Sequence, residues 1–214
     1  MQRYLLKLNS TKPFAQQIIF TLCAFFLFAL PVIPALPNYL PRILLSLLIL
    51  FSLVALDKLN TGLLIFAGLA IFIGWISHIY TYVFLEYLTE FSTNVFLFWI
   101  VGIGIQRMMR LKEVFLSNLF EAINGFLLLA IAFTSLTVVL QKHFPLSYVS
   151  DHPVLGGQDL IYYTIVTLTT TGYGDILPNT PAAKDLAAIM AISGQFYVAV
   201  IMAIMVGKYS NQNK

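Results

Sequence analysis

Side chains able to do chemistry are few. The 214 residues carry 21 formal charges, three histidines and one cysteine, Cys23, which allows no internal disulfide. Covalent or acid–base catalysis needs a nucleophile beside a base, and metal catalysis needs converging His, Cys, Asp or Glu ligands. The apolar runs up to residue 109 hold no deep acid and one histidine, His78, read as an interhelical hydrogen-bond partner. His143 and His152 fall in a polar stretch and read as solvated loop histidines, with external pH sensing as the alternative. One run stands apart. Residues 160–174 are uncharged, rich in threonine and glycine, and end in Thr169-Thr170-Thr171-Gly172-Tyr173-Gly174-Asp175. Gly172 and Gly174 can adopt positive φ at no steric cost.

The elements that must position this run follow from composition. Hydrophobic residues make up 59% of the chain and charged residues 10%, with mean hydropathy +0.87. A soluble fold of this size cannot hide so much apolar surface. A disulfide scaffold, a disordered chain and most soluble enzymes are excluded, and a scattered net charge of +3 excludes a nucleic-acid partner. An all-α membrane protein remains, because lipid leaves every backbone polar group to be satisfied internally. Spans are expected near 14–35, 38–57, 60–83, 92–109, 119–141 and 183–207. Residues 160–174 are too short and too polar to be a seventh. Arg3, Lys7 and Lys12 before an apolar run imitate a signal peptide, but no A-x-A-like site follows, and the segment is read as a retained helix.

Lysine and arginine set the orientation. With six crossings and the N-terminus inside, the inner segments hold nine basic residues and the outer ones three. Both termini are therefore expected in the cytoplasm, in a multi-pass protein of the cell membrane. Residues 107–121 place Arg110, Glu113, Ser117 and Glu121 on one helical face and Leu111, Phe115 and Leu119 on another. They read as an interfacial linker helix, or as an extension of the fifth span. This divides the chain into a four-helix domain, 1–112, and a second domain, 113–214. Trp75, Tyr80, Tyr82, Tyr87 and Phe91 read as an outer aromatic belt, with Trp99 deeper.

The run 169–175 resembles the selectivity filter of potassium channels, whose signature is T-V-G-Y-G-D or a close variant. By chance G-Y-G-D occurs about once in 10⁵ positions. The resemblance covers roughly residues 158–207; the first four spans resemble a voltage-sensor domain only in number and orientation. It implies a homotetrameric pore in membrane lipid that passes potassium ions, with no cofactor and no enzymatic step. Rings of carbonyl oxygens replace the ion's hydration shell. By resemblance, the carbonyls of Thr170, Thr171, Gly172 and Tyr173 face the ions, and the Thr170 hydroxyl adds the innermost ring. Gly174 and Asp175 form the mouth. Tyr162 and Tyr163 are the expected cuff around Tyr173. A re-entrant pore helix is expected over 159–169, about half the membrane thickness, with Asp159 as its N-cap. Gly194 is either a gating hinge or a close-packing glycine. Val198, Met202 and Val206, at i+4 steps, line the inner pore or face lipid and neighbours.

Two positions depart from the family pattern. Thr171 stands where valine or isoleucine is usual; its side chain is expected behind the filter. Val166 stands where many relatives carry a glutamate that holds the filter aspartate, so Asp175 must be held otherwise, with Tyr162 the nearest candidate. Voltage sensing needs charge inside the field. Arg107 and Arg110 have the three-residue spacing, but Gly104, Val101 and Phe98 continue it without charge, so steep voltage gating is not expected. With only residues 208–214 after the last span, no ligand-sensing module is expected there. The rival readings are a weakly selective cation channel, a small polytopic transporter and an intramembrane enzyme. The transporter would show repeat symmetry with broken helices in both halves.

Overall fold

The computed structural model describes Ile18, Thr21, Leu22, Ile43 and residues 45–50, 61–79, 83–111, 116–151 and 155–212. In order these give α1 (Thr61–Ile79), α2 (Val83–Arg110), α3 (Leu116–His143), β1 (Tyr148–Ser150), α4 (Gly157–Leu168), β2 (Ile176–Pro178) and α5 (Pro181–Gln212). Most of the spans expected at 14–35 and 38–57, with Cys23, lies outside the described residues, as do Tyr80, Tyr82 and His152. Their described positions are helical. Among them Thr21 donates from Oγ1 to Asn124 Oδ1 of α3 at 2.5 Å.

Among the described residues three stretches are long and apolar enough to cross a membrane, Phe84–Arg110, Asn118–His143 and Pro181–Ser210; Leu64–Ser77 is apolar but shorter. At 1.5 Å per residue, each long stretch measures about 40 Å against a hydrocarbon core of about 30 Å. The helices therefore extend past the apolar runs that announce them. Helix α2 begins at Val83 rather than near 92 because Glu86 lies in its first turn, where a carboxylate favours the positive end of the helix dipole. A charge marks where lipid ends, not where a helix ends. The same reasoning corrects the linker. Arg107 and Arg110 close α2. Glu121 lies inside α3, because no glycine or proline interrupts 116–121. Among the described residues the extension of the fifth span holds; 112–115, and the expected domain boundary, lie outside them.

Polar side chains stitch the helices together. Asn94 on α2 donates through Nδ2 to Ser135 Oγ on α3 at 3.0 Å, a pairing suited to a site without competing water. Phe98 meets Phe133 edge-on at 5.3 Å. The hydroxyls of Thr137 on α3 and Thr164 on α4 lie 3.3 Å apart. Between α3 and α5, Tyr197 Oη donates to Ala122 O at 2.7 Å. It fits because residue 125 is glycine: a Cβ there would lie 2.1 Å from that oxygen. Helix α5 opens with proline at its first helical position, preceded by Thr180, whose Oγ1 accepts from Ala183 N at 3.3 Å. That is a strong local start signal. The core joins Leu128 and Phe133 of α3, Leu160, Tyr163 and Leu168 of α4, and Met190, Tyr197 and Ile201 of α5. Phe72, Phe84, Phe91 and Phe196 stay exposed, a surface that suits lipid or neighbouring chains.

Candidate functional site: the loop after α4

Helix α4 has twelve residues, about 18 Å, too short to span. Its N-cap is Gly156, not Asp159. Asp159 sits three positions later and accepts from Gly156 N through Oδ2 at 2.7 Å. The side chain still closes the helix start, from inside the first turn.

The chain leaves α4 with its amides tied back. Thr169 N donates to Ile165 O at 2.9 Å, Thr170 N to Thr167 O at 3.0 Å, and Thr171 N to Val166 O at 2.9 Å. Beyond this point the backbone alternates in hand. Thr170, Gly172 and Gly174 have φ of +57°, +58° and +80°; Thr171 and Tyr173 between them do not. Alternation of this kind turns successive carbonyls toward one side of the strand. The glycines take it freely; a β-branched threonine does so only under constraint. Two contacts hold Thr170: the amide bond to Thr167, and Gln195 Nε2 of α5, which donates to Thr170 Oγ1 at 3.0 Å. The hydroxyl expected as the innermost oxygen ring is thus engaged by α5. Neither the positive φ at Thr170 nor the role of Gln195 was foreseen. The available signal was an amide beside Gly194 within the uncharged run 186–207.

Thr171 points behind the strand, where its Oγ1 lies 3.0 Å from Thr169 Oγ1. Thr169 in turn donates to Ile165 O at 2.8 Å. Tyr162 Oη donates to Asp175 Oδ2 at 2.7 Å, the restraint that Val166 cannot supply. That hydrogen bond, then burial, pushes the Tyr162 phenol up to about 12. Tyr162 also stacks on Tyr173, with centroids 6.4 Å apart and planes 5° apart. Tyr163 does not join this cuff. It is buried against Tyr148 of β1 at 4.9 Å, because it lies on the inward face of α4. Strands β1 and β2 pair antiparallel, Ser150 with Ile176 and Tyr148 with Pro178, and fasten the segment after Asp175 to the end of α3.

On α5, Gly194 meets the C-terminal end of α4. A Cβ there would lie 2.0 Å from Leu168 O. The helix runs unbroken through Gly194, and the contact is of the kind a close-packing glycine makes. Val198, Met202 and Val206 form an exposed stripe, while Tyr197 and Ile201 are buried. Two anchors at the far end were unforeseen. Arg107 Nε lies 3.3 Å from Glu121 Oε1. Lys208 Nζ donates to Met109 O at 2.7 Å and to Leu111 O, a cation on the carbonyl end of α2.

Long apolar helices make this an all-α membrane protein, with a half-length helix and a strand of alternating hand between its last two long helices. Residues 149–211, from β1 through α5, match the family described as "Ion channel". Over 55 residues, 26% of this chain, it is 40% identical to two-pore potassium channel 1 of Arabidopsis thaliana, covering 15% of that protein. Over 88 residues, 39% of the chain, it is 36% identical to two pore potassium channel c of Oryza sativa subsp. japonica, covering 18%. Over 49 residues, 23% of the chain, it is 43% identical to the A-type voltage-gated potassium channel KCND3 of Rattus norvegicus, covering 8%. The matched stretches thus span less than a fifth of these relatives.

Proposed function

We propose that the chain is the subunit of a potassium-selective pore, with 169–175 as its filter. The carrying observation is the positive φ at alternate residues Thr170, Gly172 and Gly174, at the end of a helix too short to span. One strand cannot surround an ion; four around a cyclic axis can, so the assembly is a homotetramer. Each subunit has six spans with both termini in the cytoplasm, a four-helix domain at 1–112 and a pore domain at 113–214. Thr170, Thr171, Gly172 and Tyr173 supply the ion-facing carbonyls, Gly174 and Asp175 the mouth, and Val198, Met202 and Val206 the inner lining. Conduction is passive, by knock-on between adjacent sites. Purified protein in planar bilayers under opposed potassium and sodium gradients should reverse near the potassium equilibrium potential. Reversal near zero would assign a weakly selective cation pore instead, and a monomer by native mass spectrometry would exclude the pore.

Two further outcomes are expected. The current should depend only weakly on voltage. Arg107 is held by Glu121 at one end of α2, and Phe98, Val101 and Gly104 place no charge deeper. A steep conductance–voltage curve would refute this. Tyr162→Phe should leave the fold within about 1 kcal/mol and release Asp175, so that current decays faster during sustained opening. With the phenol pushed up to about 12, its proton stays bound through neutral pH and is lost only as pH rises through that value. The wild-type time course should therefore be flat in alkali up to well above neutral. Identical decay in Tyr162→Phe and wild type would mean that the pair does not hold the mouth.

A further inference from the structure

The filter is fastened at its mouth to the end of α3, and a cluster of ionisable groups surrounds that end. His143 is the last residue of α3, not a solvated loop residue, with a side chain 15% exposed. Its ring stacks on Tyr87 of α2, with centroids 4.3 Å and planes 24° apart. Nδ1 lies 3.0 Å from Tyr87 Oη and Nε2 lies 3.3 Å from Glu90 Oε2. Lys142 bonds Glu86 and lies 3.6 Å from Glu90 Oε1. Tyr87 and Glu90 therefore face His143 from α2, with Glu86 and Lys142 beside them. The described side chains of α1 bring no titratable group to it.

We propose that this cluster is a proton-operated clasp between α2 and α3. An ionised carboxylate only accepts, so a neutral His143 must donate through Nε2 to Glu90, and its Nδ1 accepts from Tyr87. Imidazole is the side chain that changes charge between about pH 5 and 8. Protonation places a hydrogen on Nδ1 as well, turns Tyr87 Oη into an acceptor and converts the Glu90 contact into an ion pair. Acid therefore closes the clasp and alkali loosens it. Glu90 also borders a cavity of about 320 Å³ shared with Trp75 and Ile71 of α1 and Ser135 of α3, which gives α2 room to shift when the clasp loosens. The path to the filter is short. Asn179 N, just beyond β2, donates to Ser147 O at 2.8 Å, and Asn179 Nδ2 donates to Leu146 O at 3.1 Å. These bonds fix the strand after Asp175 to the residues that follow His143. The clasp is a property of the fold; its effect on current rests on the channel reading above.

The test compares wild type, His143→Gln and Glu90→Gln at pH 8 and pH 5.5, by melting temperature in detergent and by open probability in bilayers. Wild type should gain roughly 2–4 °C over His143→Gln on acidification, and Glu90→Gln should lose the same gain even if its absolute stability falls. Open probability should change with pH on the filter-mouth side in wild type and not in either variant. A melting difference between wild type and His143→Gln that is equal at both pH values overturns the clasp. A pH-dependent melting difference with pH-independent current retains the clasp and overturns its control of the pore. Absence of any current from wild type, with the melting difference intact, counts against the channel reading alone.

Discussion

Gly194→Ala is expected to destabilise the protein by at least about 1–3 kcal/mol, the usual cost of forcing extra carbon into a packed interior. The added Cβ would lie 2.0 Å from Leu168 O and 2.9 Å from Leu168 C. Both are backbone atoms at the end of α4, so no side-chain rotation can relieve the contact. Either α5 moves outward or the start of the filter strand moves. Gln195, the next residue, holds Thr170 Oγ1, so displacement of α5 also withdraws the group that restrains the strained threonine. Gly207 is the control: a Cβ there meets nothing within 4 Å, and alanine should add helix propensity of up to about 1 kcal/mol. Thermal unfolding of the two variants separates close packing from a hinge. A hinge glycine replaced by alanine would keep its melting temperature and change only gating. An unshifted melting temperature in Gly194→Ala would therefore restore the hinge reading.

The contrast between Gly194 and Gly172 shows what was legible in the sequence. Glycine at 172 and 174, two apart and flanked by threonine, tyrosine and aspartate, announces backbone chemistry because only glycine takes positive φ freely. The position of that run between two apolar stretches is equally readable, since charge scarcity marks lipid. Asp175's need for a partner was legible too. With valine at 166, the hydroxyl of Tyr162 was the available donor, and it bonds Asp175. What composition could not supply is which face of a short helix turns inward. Tyr162 and Tyr163 are adjacent and chemically equal, yet one stacks on Tyr173 and the other packs at a tilt against Tyr148. Helix ends were misplaced for a physical reason already met at Val83: helices continue into water while hydropathy stops at the interface. Long-range pairs, such as Lys208 with the last carbonyls of α2, carry no local signature, because their partners are backbone atoms that every sequence has. Gly194 itself read equally well as hinge or as packing. Only the distance to Leu168 O separates them.

Gly174→Ala is expected to abolish potassium selectivity while leaving each subunit folded. The space around Gly174 within the chain is open: a Cβ would meet nothing within 4 Å. Steric exclusion by neighbours is therefore not the reason for glycine, and its φ of +80° is. An L-residue in the left-handed region costs roughly 1–2 kcal/mol, a cost borne once in each subunit of the tetramer we propose. The strand relieves that cost by turning the residue back to negative φ, which rotates the carbonyl of Tyr173 or Gly174 away from its neighbours' direction. A single missing ring of oxygens suffices to lose discrimination, because dehydration of the ion is then no longer matched step by step. Thr170 supplies the internal comparison. It already bears positive φ with a side chain, but it is tied by Thr167 O and Gln195, whereas no bond from α5 reaches Gly174 among the described residues. Gln195→Leu should therefore weaken the inner end of the filter less than Gly174→Ala weakens its mouth, since the Thr167 bond remains. Reversal potentials in mixed potassium and sodium solutions give the order. An unchanged reversal potential in Gly174→Ala would show that the alternation in hand is not what selects the ion.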